Sequence, residues 1–155
     1  MLDGELASGF AAVTDDPYPL QTLVMWSHAA GDLDHVGAAE LLLPRLLPHG
    51  DEIGASGVIV GGAAATAIGL LQTVLGRVAE ADETFSRASA RCGAFRSPWL
   101  SMLTDLGWAR CLLRSREPAD HKRVRLLLER ALAVARQHGF AGAERRVLAL
   151  MASAD

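Results

Sequence analysis

The stretch Gly69-Leu70-Leu71-Gln72-Thr73-Val74-Leu75-Gly76-Arg77-Val78-Ala79-Glu80-Ala81-Asp82-Glu83-Thr84-Phe85-Ser86-Arg87-Ala88 decides the fold. An apolar run stops at Gly76, and a second pattern begins with apolar residues at Val78, Ala81, Phe85, Ala88 and Cys92. Steps of three and four residues keep one face of a helix apolar. Gly76 suits the end of the first helix, because a left-handed residue carries no Cβ penalty when it is glycine. Residues 120–138 repeat the stripe with Val124, Leu127, Leu128, Ala131 and Ala135, so that Ala81, Phe85 and Ala88 align with Val124, Leu128 and Ala131 at a constant offset of 43 residues. A looser earlier copy runs from Gly31-Asp32 to Ala38, Leu42 and Leu46. A recurring helix pair is the economical account.

The composition agrees. The chain has 155 residues, the size of one domain, and is 50% hydrophobic but only 5% aromatic. Its 27 Ala and 24 Leu are strong helix formers, while the residues favoured in strands are scarce. That excludes an all-β fold, and the apolar content excludes disorder. A net charge of −3 is too small to imply a polyanion partner by itself. Cys92 and Cys111 offer neither a disulfide framework nor paired metal-ligand spacing, which points to a reducing cytoplasm. Asp3 and Glu5 stand where a secretory signal would carry basic residues, so no such signal is expected.

Punctuation divides the chain into expected helices at 18–30, 34–48, 58–75, 77–92, 98–114, 120–138 and 142–152. Asp16-Pro17 and Ser97-Pro98 pair a capping residue with a proline suited to a first turn, and Asp34 is the expected N-cap of the second helix. Gly31, Gly76 and Gly139 close apolar runs. Pro44 is expected to kink or split the second helix. Val58-Ile59-Val60 leads straight into Ala63-Ala64-Ala65 and is read as the start of a helix, so no strand is expected. The 24 uncharged residues from Ile53 to Gly76 are long enough for a membrane span, and Gly57 and Gly61 have the spacing of a helix-packing motif. Ser56, Thr66, Gln72, Thr73 and six glycines make the run only weakly apolar, which favours a helix sandwiched between neighbours.

Gly69, Gly76, Ala81, Phe85 and Ala88 have the spacing of the tetratricopeptide signature, in which small residues let two helices approach and an aromatic fills the gap to the next unit. Pro98-Trp99-Leu100, Ala109-Arg110-x-Leu112-Leu113 and the run from Leu126 to Gly139 extend the match. The stretch from about Trp26 to Phe140 is similar to the tetratricopeptide-like repeat region of large actinobacterial signalling proteins. Those proteins combine such repeats with a signal-transduction ATPase and a nucleotide-cyclase or LuxR-type DNA-binding module. The resemblance implies an all-α, right-handed solenoid of antiparallel helix pairs with about seven helices, filling residues 1–155 as one domain. The pairs would be 18–48, 58–92 and 98–138, with a terminal capping helix at 142–152. It also implies a regulatory scaffold that docks a partner or senses a signal and passes it to an output domain. The phosphate loop of the ATPase module does not occur in this sequence.

Little in the sequence points to catalysis. The glycine-rich run 54–62 lacks the lysine and the preceding strand of a phosphate cradle, so no cofactor is expected. Asp32-x-Asp34-His35 and His49-x-Asp51-Glu52 fall at helix ends, where acids need no metal. His28 and His138 lie near helix C-termini, which favour a positive imidazole. Both cysteines sit among apolar positions, and no nucleophile elbow occurs, so the expectation is a non-enzyme.

Charge is the better lead. Residues 1–76 hold nine acids and one base, whereas residues 77–155 hold nine acids and fourteen bases. Arg110, Arg114, Arg116, Lys122, Arg123 and Arg125 crowd one region. In repeat geometry Thr66, Leu70 and Thr73, with Leu106, Arg110 and Leu113, would line the concave face, flanked by Arg114 and by Trp99 as a flat anchor. An acidic or carboxylate-bearing protein partner fits that face. A homodimer through the oppositely charged ends, or a small-ligand sensor, is the alternative. Direct binding of nucleic acid or membrane is not expected.

Overall fold

The computed structural model describes residues 2–11, 13, 16–56, 60–115 and 117–154. It is mostly helical. The chain divides into two compact units, residues 1–77 and 78–155. The boundary lies within the expected helix pair 58–92, whose two helices fall in different units.

The first unit holds α1 (Leu2–Ala7), α2 (Pro19–Asp32), α3 (Val36–Leu46) and α4 (Ala64–Val74), with a hairpin of β1 (Ile53–Ala55) and β2 (Val60–Ala63) before α4. Asp16 organises the start of α2: one carboxylate oxygen accepts from the Tyr18 amide at 2.7 Å and the other from the Thr22 hydroxyl at 2.8 Å. The N-cap of α3 is His35 rather than the expected Asp34, its Nδ1 accepting from the Ala38 amide at 3.2 Å. Asp34 instead makes the turn with φ of 50°, a conformation that aspartate tolerates better than most residues. Helix α3 continues through Pro44 to Leu46, and a 3-10 turn follows over Leu47–His49. The helix is therefore not split at Pro44. Val24, Ala30, Ala38, Leu42, Leu46, Ala64, Ala67 and Leu71 form the core with Phe10, which meets Trp26 edge-on at 5.9 Å. Arg45 ties the segment before α2 to α3 by donating to the carbonyls of Gly9 and Phe10.

The hairpin corrects the expectation of a helix from residue 58. Val58 and Ile59, like Gly57 of the packing motif, lie outside the described residues, but Val60–Ala63 is strand and the helix begins only at Ala64. Strand β1 pairs antiparallel with β2 in the register Ile53 to Ala63 and Gly54 to Gly62, with an irregularity between Gly54 and Ala55. A two-stranded ribbon is marginal alone and needs a surface to lie on. Here that surface is α2. A Cβ on Gly54 would stand 3.0 Å from Gln21 Cα, and one on Gly62 3.1 Å from His28 Nε2. The glycines thus serve a close approach of strand to helix.

The second unit holds α5 (Val78–Phe95), α6 (Pro98–Ser115), α7 (His121–His138) and α8 (Ala141–Ala154), each packed on the next, with a 3-10 turn at Pro118–Asp120. Ser97 Oγ accepts from the Leu100 amide at the start of α6, as its place before Pro98 suggests. Gly139 ends α7 with φ of 70°, and Gly76 has φ of 72°. The stripes behave as their periodicity demands. Ala81, Phe85, Ala88 and Cys92 of α5 are buried, and so are Val124, Leu127, Leu128, Ala131 and Ala135 of α7. Met102, Leu106, Ala109 and Leu112 of α6 and Ala143 and Val147 of α8 complete the core. Among the described residues there are eight α-helices and one two-stranded sheet, against seven expected helices. No helix among them is long and apolar enough to cross a membrane.

Candidate functional site

A polar constellation ties α5, α6 and α7 together in the second unit. Asp82 of α5 is its hub. Trp108 Nε1 of α6 donates to Asp82 Oδ1 at 2.6 Å, and Arg123 of α7 reaches the same oxygen at 2.6 Å. The second Arg123 nitrogen donates to Asp120 at 3.0 Å, while the guanidinium lies 5.4 Å from the centre of the Trp108 ring. Asp120 is oriented in turn by the Ser115 hydroxyl at 2.7 Å. Partial burial pushes the Asp82 carboxyl up, but the hydrogen bonds from Arg123 and Trp108 and the Arg123 charge outweigh it and leave the group below its ordinary range. The bond to Asp82 raises the Arg123 pKa further. Beside this cluster Asp82, Glu83, Ser86, Arg87 and Arg123 line an open depression of about 550 Å³.

A second acid on α6 differs in kind. Asp105 is 3% exposed in the unit's interior, and Arg130 of α7 contacts its Oδ2 at 3.2 Å. Its Oδ1 is buried with no hydrogen-bond partner. Burial, only partly offset by the Arg130 charge, pushes this carboxyl up to about 6. Asp105 and Trp108 stand three apart on α6, where Asp105 meets Arg130 and the Trp108 ring lies under Arg123, both arginines being on α7.

The eight residues expected on a concave face divide between the units. Thr66, Leu70 and Thr73 lie on α4, every residue of which is buried. Leu70 packs against Gly31, where an added Cβ would stand 3.3 Å away, and the Thr73 hydroxyl donates to the Gly69 carbonyl at 2.7 Å. In the second unit Leu106 is buried, and Leu113 and Trp99 are half-buried against the core. The Trp99 ring meets Phe140 edge-on at 5.1 Å. Arg110 is half-buried and Arg114 exposed, whereas Arg116 lies outside the described residues.

The other candidate ligands have local partners. His49 Nδ1 lies 2.8 Å from Glu52, and His138 stacks on Phe140. Cys92 Sγ lies 3.5 Å from the Thr104 hydroxyl, and Cys111 Sγ 3.7 Å from the Val78 carbonyl oxygen. Among the described residues no three His, Cys, Asp or Glu side chains gather as a metal site would require. Sequence reasoning missed Asp82, Trp108 and Asp105. One signal was present: Asp105 is an acid between apolar Leu103 and Leu106 in a helix with few charges. No family model, curated protein or solved structure matches the chain.

Proposed function

We propose that the chain is a non-catalytic helical-repeat scaffold that docks a protein partner, or senses a signal, within a bacterial transcriptional-regulator or cyclase-type signalling system. The observation that carries this reading is the equivalence of α5 and α7. Residues 43 positions apart, Ala81 with Val124, Phe85 with Leu128 and Ala88 with Ala131, are all buried. The two-residue link between α5 and α6 supports antiparallel pairing, as a tetratricopeptide-like solenoid requires. The ionic contacts of Asp82 and Asp105 join helices, which supports a structural rather than catalytic use of these acids. Cys92 and Cys111, both buried and not joined in a disulfide, fit a reducing cytoplasm.

The partner is an acidic protein segment engaging Arg110 and Arg114, with Trp99 at the far end of the same helix as a flat anchor. Arginine suits carboxylates because its planar fork donates two parallel hydrogen bonds. The test is fluorescence polarisation with polyglutamate-containing peptides on the full chain and on the Arg110→Ala/Arg114→Ala variant. The variant is expected to lose about tenfold in affinity, or about 1.4 kcal/mol. Equal affinity of the two proteins overturns the docking surface. A homodimer is the second reading, supported by the charge contrast between residues 1–76 and 77–155. Light scattering at low and high salt decides it, since a charge-driven dimer dissociates as salt screens the attraction.

A further inference from the structure

We infer that Asp105 and Arg130 form a proton-operated latch in the second unit: ionised, the carboxylate pins Arg130 to α6, and protonated, it releases the guanidinium to solvent. The inference does not depend on the docking role proposed above.

The geometry is asymmetric. The Asp105 side chain is 4% exposed, whereas that of Arg130 is 50% exposed. One carboxylate oxygen meets Arg130 at 3.2 Å and the other is buried without a hydrogen-bond donor. A charge held this way loses most of its hydration and recovers it through one contact, so the neutral form gains relative to the ionised form. Arg130 loses little when the contact ends, because half of its side chain is already in water.

Several described groups that face α6 have partners of their own. From α5, Asp82 faces α6 but is held by Trp108 and Arg123, and the Cys92 thiol lies against Thr104. From α7, Arg123 is engaged by Asp82 and Asp120, which leaves Arg130 as the cation acting on Asp105. From α8, Ala143 and Val147 face the core, and Glu144 is bonded to Arg136 at 2.8 Å. Asp105 therefore adds to the unit's response to acidification a carboxyl whose midpoint of about 6 lies within the range of mild acid stress.

The experiment is a carbon-13 NMR titration of the Asp105 carboxyl in the full chain, for the natural sequence and for Arg130→Gln. The expected midpoint is about 6 in the natural chain and higher in the variant, because Arg130 stabilises the ionised form. The Arg130 Nε–H signal is expected to change with the same midpoint. In parallel, the melting temperature of the natural chain is expected to rise between pH 7.5 and pH 5, and that of Asp105→Asn to rise less. A carboxyl midpoint in the ordinary aspartate range, a midpoint unmoved by Arg130→Gln, or an Arg130 signal that ignores the titration overturns the latch. The NMR arm stands if Asp105→Asn fails to fold.

Discussion

At the scale of single residues, the two acids of the second unit show how environment divides one side chain between opposite roles. Asp82 is about one-third exposed, accepts from Trp108 and Arg123, and remains an anion to lower pH than usual. Asp105 is almost fully enclosed, has one cationic neighbour, and takes up a proton early. Trp108→Phe keeps the packing and the ring face toward Arg123 but removes the indole N–H. We expect it to cost about 1 kcal/mol, near the typical net worth of one hydrogen bond, read as a lower urea midpoint with an unchanged slope. A change under about 0.3 kcal/mol would show that Arg123 alone suffices to hold Asp82. The Asp82 contacts were not visible in the sequence. Asp82 and Trp108 are 26 residues apart and Asp82 and Arg123 41 apart, and local periodicity carries no information on such pairings.

At the scale of elements, the helices with one apolar stripe were legible and the hairpin was not. A buried stripe leaves a regular mark because every helical residue on that face must be apolar, and α5 and α7 show this at each position named in advance, except that Val78 is half-buried. Helix α4 is buried all round and has no polar face to mark its period, so its start was placed too early. Strand β2 escaped notice because Gly61 and Gly62 carry no side chains to alternate, and their use appears only where they meet α2. Gly54→Ala would press a Cβ to 3.0 Å from Gln21 Cα, backbone that cannot rotate aside. We expect it to destabilise the first unit by about 1–3 kcal/mol, the usual cost of overpacking. Faster amide hydrogen exchange confined to β1, β2 and α2 would check the location. Gly139→Ala and Gly93→Ala make a second test. Neither position has an atom within 4 Å of an added Cβ, but Gly139 has φ of 70° and Gly93 lies within α5. The first is expected to cost about 1 kcal/mol and the second to gain about 0.5 kcal/mol in thermal unfolding. Equal effects would remove the case for a left-handed cap at Gly139.

At the scale of the whole molecule, the two acids bend the stability profile in opposite directions. Asp105 has a folded-state value of about 6, above its ordinary one, so proton uptake favours the folded chain. Its contribution is complete below the ordinary aspartate range and is lost as pH rises through about 6, with an upper bound of about 3 kcal/mol. Asp82 has a depressed value, so its contribution is present at neutral pH and disappears as pH falls through that value. The Asp105 effect makes the second unit more stable in mild acid than at neutral pH, and the Asp82 effect reverses the trend at lower pH. Urea unfolding followed by tryptophan fluorescence across pH 3–8 checks this, since Trp99 and Trp108 lie in that unit and Trp26 in the other. A midpoint that rises steadily to pH 8 would contradict it.

The order of residues by itself determined that this chain is helical, where most helices begin and end, and which face of α5 and α7 is buried. Those properties follow from contacts within a few residues along the chain, where propensity, caps and a 3.6-residue period act. Tertiary structure alone decided that Gly54 and Gly62 build a strand ribbon on α2 and that the chain divides at residue 77. It also decided that Asp82 and Asp105 meet arginines on α7. Each of these depends on groups far apart in the chain, whose packing and desolvation arise only when the helices meet.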